Sequence, residues 1–167
     1  MIRLFGVACI FLASSFLGIY FSDNIKRKKE RLLTLRKMLM QIYDLIRWNS
    51  MTMHEIANHL FDSGEFRSME FVSSLSEECV KVRSFPHAWE TAVKNDSQFS
   101  VDEKKLLLEV GASLGTTDKD GQLSTLEFYI LRLEKMVQEE SERYKIKGKM
   151  YRSLGIASGA MIGILII

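Results

Sequence analysis

Apolar residues return along this chain at helical spacing, and at both ends they close into runs without a single charge. Leu32, Leu35, Leu39, Ile42 and Ile46 step by three and four residues, one face of a helix from about Asp23 to Trp48. Thr52 stands three residues before Glu55, a capping-box spacing that opens a short helix carrying Ile56, Ala57, Leu60 and Phe61. Asp62-Ser63-Gly64 stops it. Phe71, Val72, Leu75, Cys79 and Val82 mark a third helix. Ser84 and Pro86 start a fourth, with Ala88, Trp89, Ala92 and Val93 on its face, since proline is tolerated in a first helical turn. After a polar break from Asn95 to Ser100, a second capping box (Ser100, Glu103) precedes Leu106, Leu107, Val110 and Leu114. The final helix is predicted as the longest element, roughly Asp118 to Arg152, with Leu123, Leu126, Ile130, Leu133, Val137, Tyr144 and Tyr151 in register. No stretch alternates with period two. The expected fold is all-α, with six helices, the first and last long and packed antiparallel as a stalk.

The two ends decide where this fold sits. Leu4 to Phe21 carries no charge, a run of about 18 residues that can just span a hydrocarbon core of about 30 Å. A secretory signal is the rival reading, with Ala13-Ser14-Ser15 as its cleavage site and a secreted helical protein as its product. Apolar residues continue past that site, however, and Lys26, Arg27, Lys28, Lys29 and Arg31 follow as a block that resists translocation. Leu154 to Ile167 is shorter, about 14 residues, and follows Lys145, Lys147, Lys149 and Arg152. Gly155, Gly159 and Gly163 recur every four residues, the small-xxx-small spacing that lets membrane helices approach closely. A tail helix packed on the rest of the chain is the alternative, though glycines weaken a helix in water. Both basic collars face the middle of the sequence. The expected organisation is therefore a transmembrane helix at 1–22, a cytoplasmic helical domain at 23–152 and a second membrane segment at 153–167. Each collar also suits anionic lipid head groups.

Composition removes several functions. Lys and Arg number 23 against 21 Asp and Glu, a net charge of +2, which is no footprint for nucleic acid. The two cysteines, Cys9 and Cys79, stand far apart and form no CxxC, so neither a disulfide framework nor a zinc site is expected. His54 and His59 flank Glu55 but lie five residues apart, about 140° around a helix, and cannot share a metal. From Thr116 to Glu127 the chain has a partial likeness to a calcium loop, through Asp118, Asp120, Gly121 and Glu127. Its first position is Thr116, without a carboxylate, and helical periodicity already runs through its second half. Gly115 as a helix stop and Asp118 as a cap account for the same residues. Glu139, Glu140 and Glu142 before Lys145, Lys147 and Lys149 read as a solvated helix face, with a docking surface as the alternative. No phosphate loop or nucleophile elbow occurs, so neither enzyme activity nor a cofactor is expected. A small membrane-anchored adaptor, calcium-sensing or not, remains the competing class.

Taken together, these residues resemble one family, stage III sporulation protein AB of spore-forming bacteria, over essentially the whole chain. The resemblance rests on the apolar end with Gly18-Ile19-Tyr20 and on the Ala88-Trp89-Glu90-x-Ala92 element. It rests further on Leu114-Gly115-x-x-Asp118-x-x-x-Gln122 and on Tyr151-Arg152-Ser153-Leu154-Gly155 leading into the final apolar stretch. One departure is Met51-Thr52-Met53, where the family often opens its second helix with proline. The resemblance implies a non-enzymatic platform similar to type II secretion F-type proteins, within the channel joining mother cell and forespore. It implies a place in the mother-cell membrane around the forespore. The implied partners are a secretion-type ATPase, stage III sporulation protein AA, and other stage III channel proteins, with self-association left open. Under it, Leu114, Gly115, Asp118 and Gln122 shape a turn or touch a partner.

Overall fold

Helical spacing in the sequence becomes helix in three dimensions. The computed structural model describes the backbone of residues 2–49, 51–148, 150, 153, 154, 157 and 161, and the side chains of these except 2–12, 14, 15, 17, 18, 21 and 148. Six α-helices follow in order: α1 (Ile2–Asp44), α2 (Met53–Asp62), α3 (Glu70–Lys81), α4 (Phe85–Asn95), α5 (Val101–Ser113) and α6 (Lys119–Arg143). Single π-helical turns continue α1 over Leu45–Asn49 and α6 over Tyr144–Gly148. Among the described residues there is no strand. Among the described residues the longest element is α1, with 43 residues, where the periodicity suggested the last helix. α6 has 25 residues and starts one residue after its cap; with its π-turn the helix follows the 118–152 span read from the sequence as far as Gly148, and 149, 151 and 152 lie outside the described residues.

Among the described residues no helix is long and apolar enough to cross a membrane. Most side chains of the apolar runs 4–21 and 154–167 lie outside the described set, and so do Gly155, Gly159 and Gly163. The chain divides into two units, one of Met1–Leu33 with Glu134–Ile167 and one of Thr34–Leu133.

In the second unit α2 to α5 pack each on its neighbour in sequence. Both expected capping boxes form. Thr52 N–H donates to Glu55 Oε2 at 2.7 Å while Glu55 N–H donates back to Thr52 Oγ1 at 3.3 Å. The backbone bond, with the Thr52 hydroxyl, holds the Glu55 carboxyl below its usual range. Ser100 and Glu103 repeat the arrangement at 2.6 and 3.4 Å, and Glu103 is fully buried. Gly64 ends α2 in the left-handed region at φ +69°, where glycine alone is unstrained.

Trp89 is the centre of this unit. It is fully buried, its Nε1 donates to Leu107 O at 2.7 Å, and its ring meets Phe71 edge-on at 4.8 Å. Phe85 lies 5.8 Å away on the same helix. The indole rests directly on Gly111, where a Cβ would stand 2.1 Å from Trp89 Cδ1. A side chain at 111 and an indole at 89 are therefore mutually exclusive.

Three expectations change here. Phe61, assigned to the buried face of α2, is 41% exposed, because Ile56, Ala57 and Leu60 already fill that face. The break at 95–100 is not simply polar, since Asp96 and Phe99 in it are buried. Asp96 Oδ2 accepts from Phe71 N–H at 2.9 Å and its Oδ1 from Gln98 N–H at 2.7 Å. It thus caps α3, whose own preceding residue, Met69, has no side chain able to cap. Phe66 and Met69 tuck the α2–α3 connection into the core as well.

Two substitutions test this packing by urea unfolding followed in far-UV circular dichroism. Gly111→Ala is expected to lower the unfolding free energy by about 1–3 kcal/mol through overpacking against Trp89. Asp96→Ala leaves the Phe71 N–H buried and unpaired and is expected to lose about 1–3 kcal/mol.

Candidate functional site

Two places concentrate the residues singled out from the sequence. The first is the turn between α5 and α6. Leu114 is fully buried and closes α5, its N–H reaching Val110 O at 3.3 Å. Gly115 follows at φ +76°, the left-handed residue that commonly ends a helix. A Cβ there would come within 3.3 Å of Met53 Cγ, so the glycine also admits the start of α2. Asp118 Oδ1 accepts from Gly121 N–H at 3.1 Å, satisfying one of the unpaired amides at the α6 N-terminus. Gln122 Nε2 donates back to Thr117 O at 2.8 Å. The four motif residues are thus brought into one turn, and their hydrogen bonds shape the backbone. Among the described residues no group of three or more His, Cys, Asp or Glu is placed to hold a metal ion. α6 already runs from Lys119 through Glu127, the second half of the apparent calcium loop.

The second place is the first unit, where α1 leads out and α6 leads back, so the two helices run in opposite directions. Each carries an apolar stripe, with Ile25 and Leu32 of α1 and Val137 of α6 in this unit, and Leu35, Leu39 and Ile42 of α1 and Leu126, Ile130 and Leu133 of α6 in the other. Lys28 and Glu140 continue those stripes with charges, each at the three- or four-residue step where an apolar side chain is due. Lys28 Nζ donates to Glu140 Oε1 at 2.8 Å, and Arg143 Nη1 reaches the same oxygen at 3.2 Å. Glu140 is 7% exposed, which corrects its reading as part of a solvated face; Glu139 and Glu142 are exposed as expected. Within the two uncharged runs, several described apolar side chains are exposed. Phe16, Ile19, Tyr20, Leu154 and Met161 are 46–69% exposed.

Elsewhere the chemistry is sparse. A groove of about 460 Å³ between α4 and α5, beside Trp89, is lined by Pro86, His87, Glu90 and Leu108. His54 packs edge-on against Phe85 at 6.1 Å, and His59 is exposed. Trp48 lies open to solvent with Arg47 stacked over it at 5.0 Å. Cys79 is half-buried, and burial, with the charge of Glu78, pushes its thiol up to about 11.

Among the described residues the protein is all-helical, with two long helices, α1 and α6, and four short ones between them in sequence. The family model for Stage III sporulation protein AB matches residues 3–167, and the chain belongs to that family. No curated protein and no solved structure matches it.

With Cys9 replaced by alanine, Cys79 is expected to react with iodoacetamide at pH 8 about two orders of magnitude more slowly in the folded than in the urea-unfolded protein. The sign follows from the raised thiol: less thiolate is present in the folded state. Equal rates, read by mass spectrometry, would contradict the buried environment.

Proposed function

We propose that this protein is a non-enzymatic platform in the mother-cell membrane surrounding the forespore, part of a secretion-type channel required for sporulation. Family membership supports the sporulation role and points to other sporulation proteins as partners. The observation that supports the membrane reading is the exposure of apolar side chains within the two uncharged runs, Phe16, Ile19, Tyr20, Leu154 and Met161. Apolar exposure of this kind marks a surface meant for lipid or another protein. Their position next to uncharged sequence and basic collars favours lipid. In this reading 1–22 and 153–167 are membrane segments, Gly155, Gly159 and Gly163 let them approach, and the helical domain faces the cytoplasm.

The partner proposed for that domain is a secretion-type ATPase, stage III sporulation protein AA, alongside other stage III channel proteins and further copies of the chain. In this reading the domain carries out no reaction of its own. Its part is to receive the ATPase and pass the contact, through the paired α1 and α6, to the membrane segments.

Membrane fractionation of cells producing the ATPase with either the full chain or a chain lacking 34–133 tests this. The ATPase is expected in the membrane fraction only with the full chain, and the chain itself should resist alkaline extraction. ATPase recruitment without residues 34–133 would sink the docking role. Release of the full chain by carbonate would sink the membrane role.

A further inference from the structure

We infer that Arg27, Lys29, Lys145 and Lys147 form a surface for anionic phospholipid, binding head-group phosphates beside the two uncharged runs. This rests on the membrane reading above and adds to it the class of lipid. Charge is divided unevenly along the chain. The unit of Met1–Leu33 with Glu134–Ile167 holds twelve Lys and Arg against six Asp and Glu. That of Thr34–Leu133 holds eleven against fifteen. A chain with a net charge of only +2 is therefore strongly basic in one unit and acidic in the other. The basic unit is the one that contains both uncharged runs.

Within that unit the structure separates committed cations from free ones. Glu140 holds Lys28 at 2.8 Å and Arg143 at 3.2 Å, and Glu30 lies 3.7 Å from Lys26. Asp23, Arg31 and Glu134 have contacts of their own. Among the described residues Arg27, Lys29, Lys145 and Lys147 form no ion pair. Arg27, Lys145 and Lys147 are exposed, and Lys29 is partly so. Glu139 and Glu142 are also open, but they precede Lys145 and Lys147 on the way to the apolar run. The contact of Lys28 with Glu140 ties together the two segments that carry the free cations. All four stand six to nine residues from the nearer uncharged run. On α1 that is about 9–12 Å along the axis, a height from which a long basic side chain reaches a head-group phosphate. The potential of an anionic leaflet extends over a similar distance, about 8–10 Å at ordinary salt. Tyr20, 63% exposed at the edge of the first run, suits the interface between hydrocarbon and water. Continuity with the uncharged runs selects a bilayer, over a soluble anion, as the source of the phosphates.

The full chain is taken from vesicles of equal phosphatidylglycerol and phosphatidylcholine into detergent and purified, and its retained lipids are quantified by mass spectrometry. Phosphatidylglycerol is expected to be retained several-fold over phosphatidylcholine, since each basic residue near an anionic surface changes binding by about fivefold. Arg27→Gln, Lys29→Gln, Lys145→Gln and Lys147→Gln together are expected to abolish the preference. Lys37→Gln, Arg67→Gln, Arg83→Gln and Lys105→Gln, the same charge change in the other unit, are expected to leave it. Arg27→Lys with Lys29→Arg, Lys145→Arg and Lys147→Arg keeps the charges and the preference. Washing the unmodified chain at about 0.5 M NaCl, which needs no variant to fold, is expected to lower it as well. Equal retention of the two lipids by the unmodified chain would overturn the surface. So would an unchanged preference in the first glutamine set, an equal loss in the second, or displacement of the lipid by sn-glycerol 3-phosphate. Loss of preference in a chain that resists carbonate fells the surface alone, whereas release by carbonate fells the membrane reading and the surface with it.

Discussion

The four short helices are organised around one steric fact: an indole lies where a side chain at position 111 would have to be. Trp89 can lie flat against α5 only because Gly111 has no Cβ, and that approach brings its N–H to Leu107 O at 2.7 Å. A buried indole needs such an acceptor, since leaving the N–H unpaired would offset much of what burying the ring contributes. Once the ring is placed, Phe71 from α3 and Phe85 from α4 have a surface to pack on, and Phe99 closes against Phe71 at 6.0 Å. Position of the ring, its hydrogen bond and the spacing of α4 and α5 are one constraint seen three ways.

That constraint also explains what the sequence disclosed and what it hid. Apolar residues at three- and four-residue steps located the helices, because burial of a face is a property of each helix by itself. Both capping boxes were legible for the same reason: Thr52 with Glu55, and Ser100 with Glu103, are contacts across a single turn. Gly111 gave no such signal. A glycine inside a helix reads as a mild weakness, and its purpose appears only when a side chain from another helix is laid over it. Asp96 was hidden in the same way. In sequence it belongs to a polar break, yet its carboxylate serves Phe71, 25 positions earlier, where Met69 cannot cap the helix. Phe66 and Met69 lie in a connection where periodicity has nothing to measure.

At the candidate site the division is similar. The turn motif was readable as a turn because its bonds are local: Asp118 to Gly121, Gln122 to Thr117, and Gly115 at positive φ. Nothing in those bonds distinguishes a residue kept for shape from one kept for a partner. The membrane expectation came from the uncharged runs and basic collars of the sequence; within those runs Phe16, Ile19, Tyr20, Leu154 and Met161 are exposed. Among the residues described around them, the charges begin where the apolar runs end.

Glu140 was misread for an instructive reason. It stands among Glu139, Glu142 and several lysines, and such a run is normally a solvated face. Composition could not separate it from its neighbours, but phase could: it falls on the stripe of Leu133 and Val137, while Glu139 and Glu142 do not. Exposed pairs such as Lys37 with Glu65, or Lys94 with Glu90, gain little, because water competes for both partners and salt screens them. Glu140 differs only in being removed from water, and this makes its partner obligatory rather than optional. The informative charge in a long helix is thus the one out of phase with the other charges and in phase with the leucines.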